Sequence, residues 1–416
     1  MGKNKDALRR AAFALKNGTV PSDGVEYLCT GRSRQIEELN RCFEFVSKGG
    51  SAIKFICGEY GAGKTFLLKR ARIEAEKQGF AVSSIKINQG FRLNLLNHLY
   101  YNIMHNLSFK DGEEEKNGFE DLMADWMNCY RRYTGYERRV AAEDVVIKLG
   151  KYNHSMARAV GEYIKAAYNG DRSKVNGIVS WLTGEENITY EIKSSFRVTG
   201  TVDRLNAIDF LKGFSALLKL LGYSGLVVLV DELELVMDER VDLRKKAYEN
   251  LRLILDECAL GQPENTIFIF AATDAIINDR IKGIPSYQAL SQRLGNPADK
   301  ANSSLSDNRQ PLMYLPPFHY KDLSELSIKI IKIHKELYNC SFGISEESII
   351  NWALLMYKEK EGDIEKVNIR KYVMKLAEVL DIMEQHPQNP MFRTELTMIK
   401  VNGNISFKNM RQGTQT

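Results

Sequence analysis

The sequence predicts an α/β protein: a parallel sheet covered by helices, with a helical insertion and a helical C-terminal region. Three observations carry this. Short apolar runs alternate with helical patterns in strand–loop–helix–strand order, which requires crossover connections and so parallel strands. A glycine-rich loop lies between the first such strand and its helix, and beyond Pro317 only helical periodicities remain. A chain of 416 residues suits two or three packed units, and 44% hydrophobic with 27% charged residues is ordinary globular composition.

The elements follow in order. Residues 6–17 read as an amphipathic helix of the mature protein, since MGKNKDALRRAAFALKNG lacks the apolar core and small-residue cleavage site of a signal peptide. After a Gly/Pro/Asp turn, Ile36, Leu39, Phe43 and Val46 recur at helical spacing. SAIKFIC (51–57) is a buried strand, KTFLLKRARIEAEKQG a helix ending at Gly79, and FAVSSIKIN (80–88) the next strand. Residues 107–200 open on an acidic turn, KDGEEEKNG, and read as an all-helical insertion. The alternation then resumes. A helix over 203–222 carries Leu205, Ile208, Leu211, Leu218 and Leu221 on one side, and SGLVVLVDE (224–232) is a strand. A helix over 243–259 and strands NTIFIFAATD (265–274) and QPLMYLPPF (310–318) follow, then helices near 320–338, 345–358 and 364–384. The chain thus divides into an N-terminal helical segment (1–48), a first core part (49–106), the insertion (107–200), a second core part (201–318), a helical region (319–384) and a tail (385–416) whose end suits a β-hairpin.

The six cysteines are scattered and none forms a C-x-x-C pair, which argues against a zinc site or a disulfide framework and for a reducing cytoplasm. No apolar run is long enough to span a membrane. A net charge of +5 permits contact with an acidic polymer without requiring it.

CGEYGAGKTF (57–66) contains G-x-x-x-x-G-K-[ST] without exception. Gly58, Gly61 and Gly63 let the backbone curl so that amide N–H groups of Glu59, Tyr60, Ala62 and their neighbours converge on one anion. A helix beginning near Lys64, with Thr65 and Phe66 in its first turn, adds the positive end of its dipole. Lys64 suits the β- and γ-phosphates of ATP as a mobile point charge, and the Thr65 hydroxyl suits Mg²⁺.

LVVLVDE delivers Asp231 and Glu232 to the ligand edge of the sheet. Asp231 is expected to support Mg²⁺ through water, and Glu232 to orient and deprotonate the attacking water. A chain that only senses nucleotide has no need of a base there. Glu234 and Glu239 read as solvated charges at a helix start. At the tip of the next strand Thr273, followed by Asp274, is either a polar sensor between water and γ-phosphate or a turn residue. Arg280 and Arg293, in the segment DRIKGIPSYQALSQRLG, are alternative fingers for a neighbouring subunit's γ-phosphate. If Asn368 caps the last helix, Arg370 sits in its first turn, where a cation opposes the dipole and a bound phosphate relieves the conflict. If that helix starts near Asp363, Arg370 is a surface charge.

With those residues in place, the chain resembles the AAA+ branch of P-loop ATPases, and more closely the ATP-binding proteins of BREX-type bacterial phage-defence systems, the group called BrxD. The motifs that carry the likeness are RRAAFALKNGTVPSDGVEYLCTGR, VDRLNAIDFL, GYSGLVVLVDELE and GIPSYQALSQRL, together with the phosphate loop. The resemblance implies a five-stranded core with a C-terminal helical lid, ATP hydrolysis to ADP, and service to a defence complex. It implies that Gly31 and Arg32 lie near the adenine and that Arg370 is the lid's second sensor. Thr273 departs from the Asn that many AAA+ proteins carry.

The partners follow from charge. Lys3, Lys5, Arg9, Arg10 and Lys16 gather at one end, Arg393, Lys400, Lys408 and Arg411 at the other, and the insertion adds Tyr130, Arg131, Arg132, Tyr133, Arg138 and Arg139. Tyrosines interleaved with arginines suit DNA, through phosphate contact and base stacking, and equally a solvated helix face. One reading is an oligomeric ATPase acting on a DNA-bound defence complex. Another is a nucleotide-dependent scaffold that recruits a helicase or methyltransferase and barely hydrolyses. A third, an initiator-like DNA loader, would need a C-terminal winged helix.

Overall fold

The apolar run Leu226–Val230 lies at the centre of a seven-stranded sheet in the computed structural model, which describes residues 5–21, 24–88, 90–111, 114–132, 134–295, 307–361, 367–390, 394–401 and 404–410. The strands are β1 (Ser51–Gly58), β2 (Ala81–Lys86), β3 (Leu107–Asp111), β4 (Glu114–Asn117), β5 (Leu226–Asp231), β6 (Thr266–Thr273) and β7 (Leu312–Tyr314). Their order is β4-β3-β2-β5-β6-β1-β7. β2, β5 and β6 pair in parallel, as do β1 and β7. β1 and β6 also run the same way. Ser51 at the start of β1 donates to the Thr266 carbonyl at the start of β6 (3.4 Å), and four residues on Phe55 stacks on Phe270.

The chain forms two compact units. One comprises residues 37–57 and 71–314 and contains the sheet. β5 and β6 are buried along nearly their whole length, as strands covered on both faces must be. The other comprises residues 1–36, 58–70 and 315–416, with its own core built from Leu8, Leu28, Ile331, Leu354, Tyr372 and Leu380. It holds the helices Lys5–Lys16, Tyr320–Tyr338, Glu346–Glu361 and Ile369–Gln385, and an antiparallel hairpin of β8 (Glu395–Val401) and β9 (Asn404–Met410). Glu395 ties that hairpin to the start of the helix Glu346–Glu361 by accepting from the Ser345 N–H and hydroxyl and from the Ser348 hydroxyl.

Four expectations change. The five parallel strands are extended by an antiparallel hairpin, β3–β4, so residues 107–200 are not all helical. The segment read as an acidic turn is in part β4, whose sequence EEKN has no apolar alternation because it is a solvated edge strand. Arg72 holds it through Glu115 and also pairs with Glu76, which meets Lys110 of β3. The insertion helices share the sheet unit's core: Trp181 and Tyr100 meet Phe210 edge-on at 5.4 and 5.8 Å, and the Tyr100 hydroxyl donates to the Leu182 carbonyl. Leu205 precedes its helix (Ala207–Leu220) and is 83% exposed. The last sheet strand is only Leu312–Tyr314, since Pro316 and Pro317 have no N–H to donate.

Candidate nucleotide site

The phosphate loop leaves β1 at Gly58, and its helix, Lys64–Lys77, begins at the lysine. Gly61 and Gly63 both adopt left-handed backbone, at φ +85° and +90°, which turns the intervening peptides as an anion nest requires. A Cβ at Gly63 would meet nothing within 4 Å, so it is the left-handed backbone and not crowding that calls for glycine there. Lys64 is buried, and its Nζ donates to the Gly58 and Glu59 carbonyls, both at 2.9 Å. These features fit a nucleotide's phosphates. Thr65 is exposed in the first helical turn, Ala62 is buried, and Phe66 packs against the core of its own unit.

Other residues of the same unit close around this loop. Arg32 donates from Nη2 to the carbonyls of Ala62 and Pro316, each at 3.0 Å, and lies 4.5 Å from the Phe318 ring. Burial pushes its pKa down to about 10 against an upward pull from Asp322. Arg32 therefore braces the loop backbone. Gly31 is left-handed (φ +66°), and a Cβ there would press on Asp322 at 2.9 Å, so the pair needs its glycine. Asn368 does cap the last helix, accepting from the Lys371 N–H, which puts Arg370 in the first turn. The same Asn368 amide donates to the Tyr60 carbonyl at 3.0 Å, and a Cβ on Gly61 would collide with it at 2.6 Å. Arg370 donates to the Tyr60 hydroxyl at 2.5 Å and sits over its ring.

In the sheet unit, Asp231 ends β5, and its Oδ1 accepts from the Glu232 N–H at 2.9 Å. Glu232 is held at φ 61°, a left-handed conformation that costs a non-glycine residue about 1–3 kcal/mol. Its carboxylate pairs with Lys86 of β2 at 3.0 Å, and both side chains are substantially exposed. Thr273 ends β6 two strands from β2. Its N–H donates to Glu234 at 3.1 Å, so Glu234 is not the solvated charge its position suggested. Spacing gave no sign of this contact, which joins the end of β6 to the short 3-10 helix after β5, 39 residues apart in sequence. Among the described residues, no group of three or more His, Cys, Asp or Glu is arranged to hold a metal ion.

The two finger candidates differ. Arg293 is committed to Asp256 and to the Ala289 carbonyl of its own chain. Arg280 is exposed on a turn that Asp279 fixes by accepting from the Ile281 and Lys282 N–H groups, and it makes no hydrogen bond or ion pair among the described residues. Of the basic and aromatic residues considered for DNA, Tyr130 is buried in the core and cannot stack on a base. Lys3, Tyr133, Arg393 and Arg411 lie outside the described residues, as do the side chains of Arg138, Arg139 and Lys400.

Among the described residues, no helix is long and apolar enough to cross a membrane. No curated protein matches the chain. Among solved structures, the Aeropyrum pernix ORC2 protein in its ADPNP–ADP complexes aligns at a TM-score of 0.32 and 14% identity, covering 83% of this chain and 66% of that one, just under two thirds of its length. At that score it carries no argument. The parallel strands and the loop between β1 and its helix are those of a P-loop nucleotide-binding protein. Over residues 5–397 the sequence matches the family described as BREX system ATP-binding protein BrxC/D, and the chain belongs to that family.

Proposed function

We propose that this ATP-binding defence-system protein hydrolyses ATP to ADP with Mg²⁺ and works as an oligomer with DNA and other proteins of its system. The observation that carries the hydrolytic reading is Glu232. It follows Asp231 at the tip of β5, and β1, which runs into the phosphate loop, ends on the same sheet edge. A strained, left-handed carboxylate at that place suits a base whose position matters more than its comfort. Lys64 and the loop amides bind the phosphates, Arg370 senses the terminal one, and Glu232 takes a proton from the attacking water. Mg²⁺, when bound, supplies charge neutralisation on the phosphate oxygens.

Phosphate release by the full chain is expected with Mg²⁺ and to fall to background when the ion is chelated. Turnover that survives chelation would sink this reading. A nucleotide-dependent scaffold that recruits a helicase or methyltransferase is the second reading, favoured by the Lys86–Glu232 pair, which engages the base.

Arg280 is the better finger, since Arg293 has a partner in its own chain. Arg280→Ala is expected to lower ATP turnover by about 10³-fold or more with ATP affinity kept, as trans fingers do, whereas Arg293→Ala lowers thermal stability instead. Equal loss of turnover in both, measured above the association concentration, would refute this assignment.

A further inference from the structure

We propose that an open groove at the N-terminal helix is a track for single-stranded DNA. It has a volume of about 900 Å³ and is formed by the helix Lys5–Lys16, the turn after it and the end of the helix Tyr320–Tyr338, all in one unit. Its described lining includes Arg9, Arg10, Lys16, Phe13 and Tyr338, and no acid.

The arrangement is specific in two ways. Phe13 is 71% exposed on the outer face of an amphipathic helix, where solvent exposure of an aromatic ring is unfavourable unless something covers it. Arg9 and Arg10 lie four and three residues before it, so all three residues start from one side of the helix. Across the groove Tyr338 is 41% exposed, and its ring is fixed by His334 at 4.6 Å on one side and Lys16 at 5.4 Å. Lys16 is itself placed by Asp381 at 2.8 Å and donates to the Tyr338 hydroxyl. Asp6 lies beside Arg9 at 3.7 Å, and that pair is exposed and weak.

Aromatic faces flanked by cations are what a single strand needs: bases stack on the rings and phosphates meet the cations. A duplex hides its base faces and has no use for Phe13. An acidic peptide would use the arginines but not the rings. The proposal rests on the reading that the protein works with DNA, and it adds where and in what form.

The test uses the full chain, a labelled oligo-dT, the matching duplex and poly-glutamate in fluorescence anisotropy. Phe13→Ala and Phe13→Leu are each expected to weaken oligo-dT about tenfold, with Phe13→Trp restoring it. Arg9→Ala/Arg10→Ala is expected to flatten the slope of log affinity against log salt by about 1.4. Basal ATP turnover and melting temperature stay at wild-type values in all of them. If oligo-dT binds every variant equally, the groove is wrong and the DNA reading stands. If the wild type binds no nucleic acid, both fall. If duplex or poly-glutamate loses as much affinity as oligo-dT in Phe13→Ala, the groove is a general anion surface and the proposal fails.

Discussion

Glu232→Gln is expected to lower kcat for ATP by about 10²–10⁴-fold, the usual contribution of a positioned general base, with nucleotide affinity unchanged. The substitution keeps side-chain shape and the left-handed backbone, so the strain at φ 61° is the same in both proteins. It removes the charge that Lys86 pairs with, but an exposed pair contributes only about 0–1 kcal/mol. Thermal stability should therefore be nearly unchanged, and a loss of rate without a loss of stability isolates the chemistry. The same magnitude limits Lys86 as a restraint: Lys86→Met should change turnover by less than about fivefold, since ~1 kcal/mol corresponds to about that factor. Single-turnover phosphate release checks both. Turnover of Glu232→Gln within about twofold of wild type would leave the scaffold reading in possession.

Lys64→Ala is expected to weaken ATP binding by about 10²–10³-fold, because charge-assisted hydrogen bonds contribute about 1.5–3 kcal/mol each and a phosphate offers two or more acceptors. The geometry sharpens the expectation. Lys64 is only 9% exposed, and its ammonium already lies against the loop carbonyls of Gly58 and Glu59. Its charge is thus held at the loop and not spread through solvent. Lys64→Arg should rescue poorly, because a planar, wider fork does not reproduce a compact point charge on those carbonyls. Titration with a fluorescent ATP analogue reads the effect, with circular dichroism to confirm folding. Binding within about threefold of wild type in Lys64→Ala would remove the lysine from the phosphate site.

Tyr60 and Arg370 show a limit of reading by spacing. The sequence places the tyrosine in a phosphate loop and, given the Asn368 cap, the arginine at a helix start. It does not say that they meet. The contact spans 310 residues and exists because the last helix points its N-terminus at the loop, with Asn368 bonded to the Tyr60 carbonyl. Arg280 and Arg293 are a parallel case. Thirteen residues apart and chemically identical, they are separated only by Asp256, which lies on another helix. Tyr130 fails in the opposite direction: its sequence neighbours are basic and polar, yet it faces the core.

Local steric and periodic rules were enough to locate the phosphate loop, the buried strands β1, β5 and β6 and the acids at the β5 tip, and they offered Asn368 as one of two starts for the last helix. Each depends on residue type at fixed spacing within one turn or strand, where backbone geometry leaves few choices. Packing alone settled the β3–β4 hairpin, the partner of Glu234, the bracing of the loop by Arg32 and the groove beside Phe13. An edge strand such as EEKN has no apolar pattern to display, and a charge finds its partner by proximity in space, across separations that no local periodicity encodes.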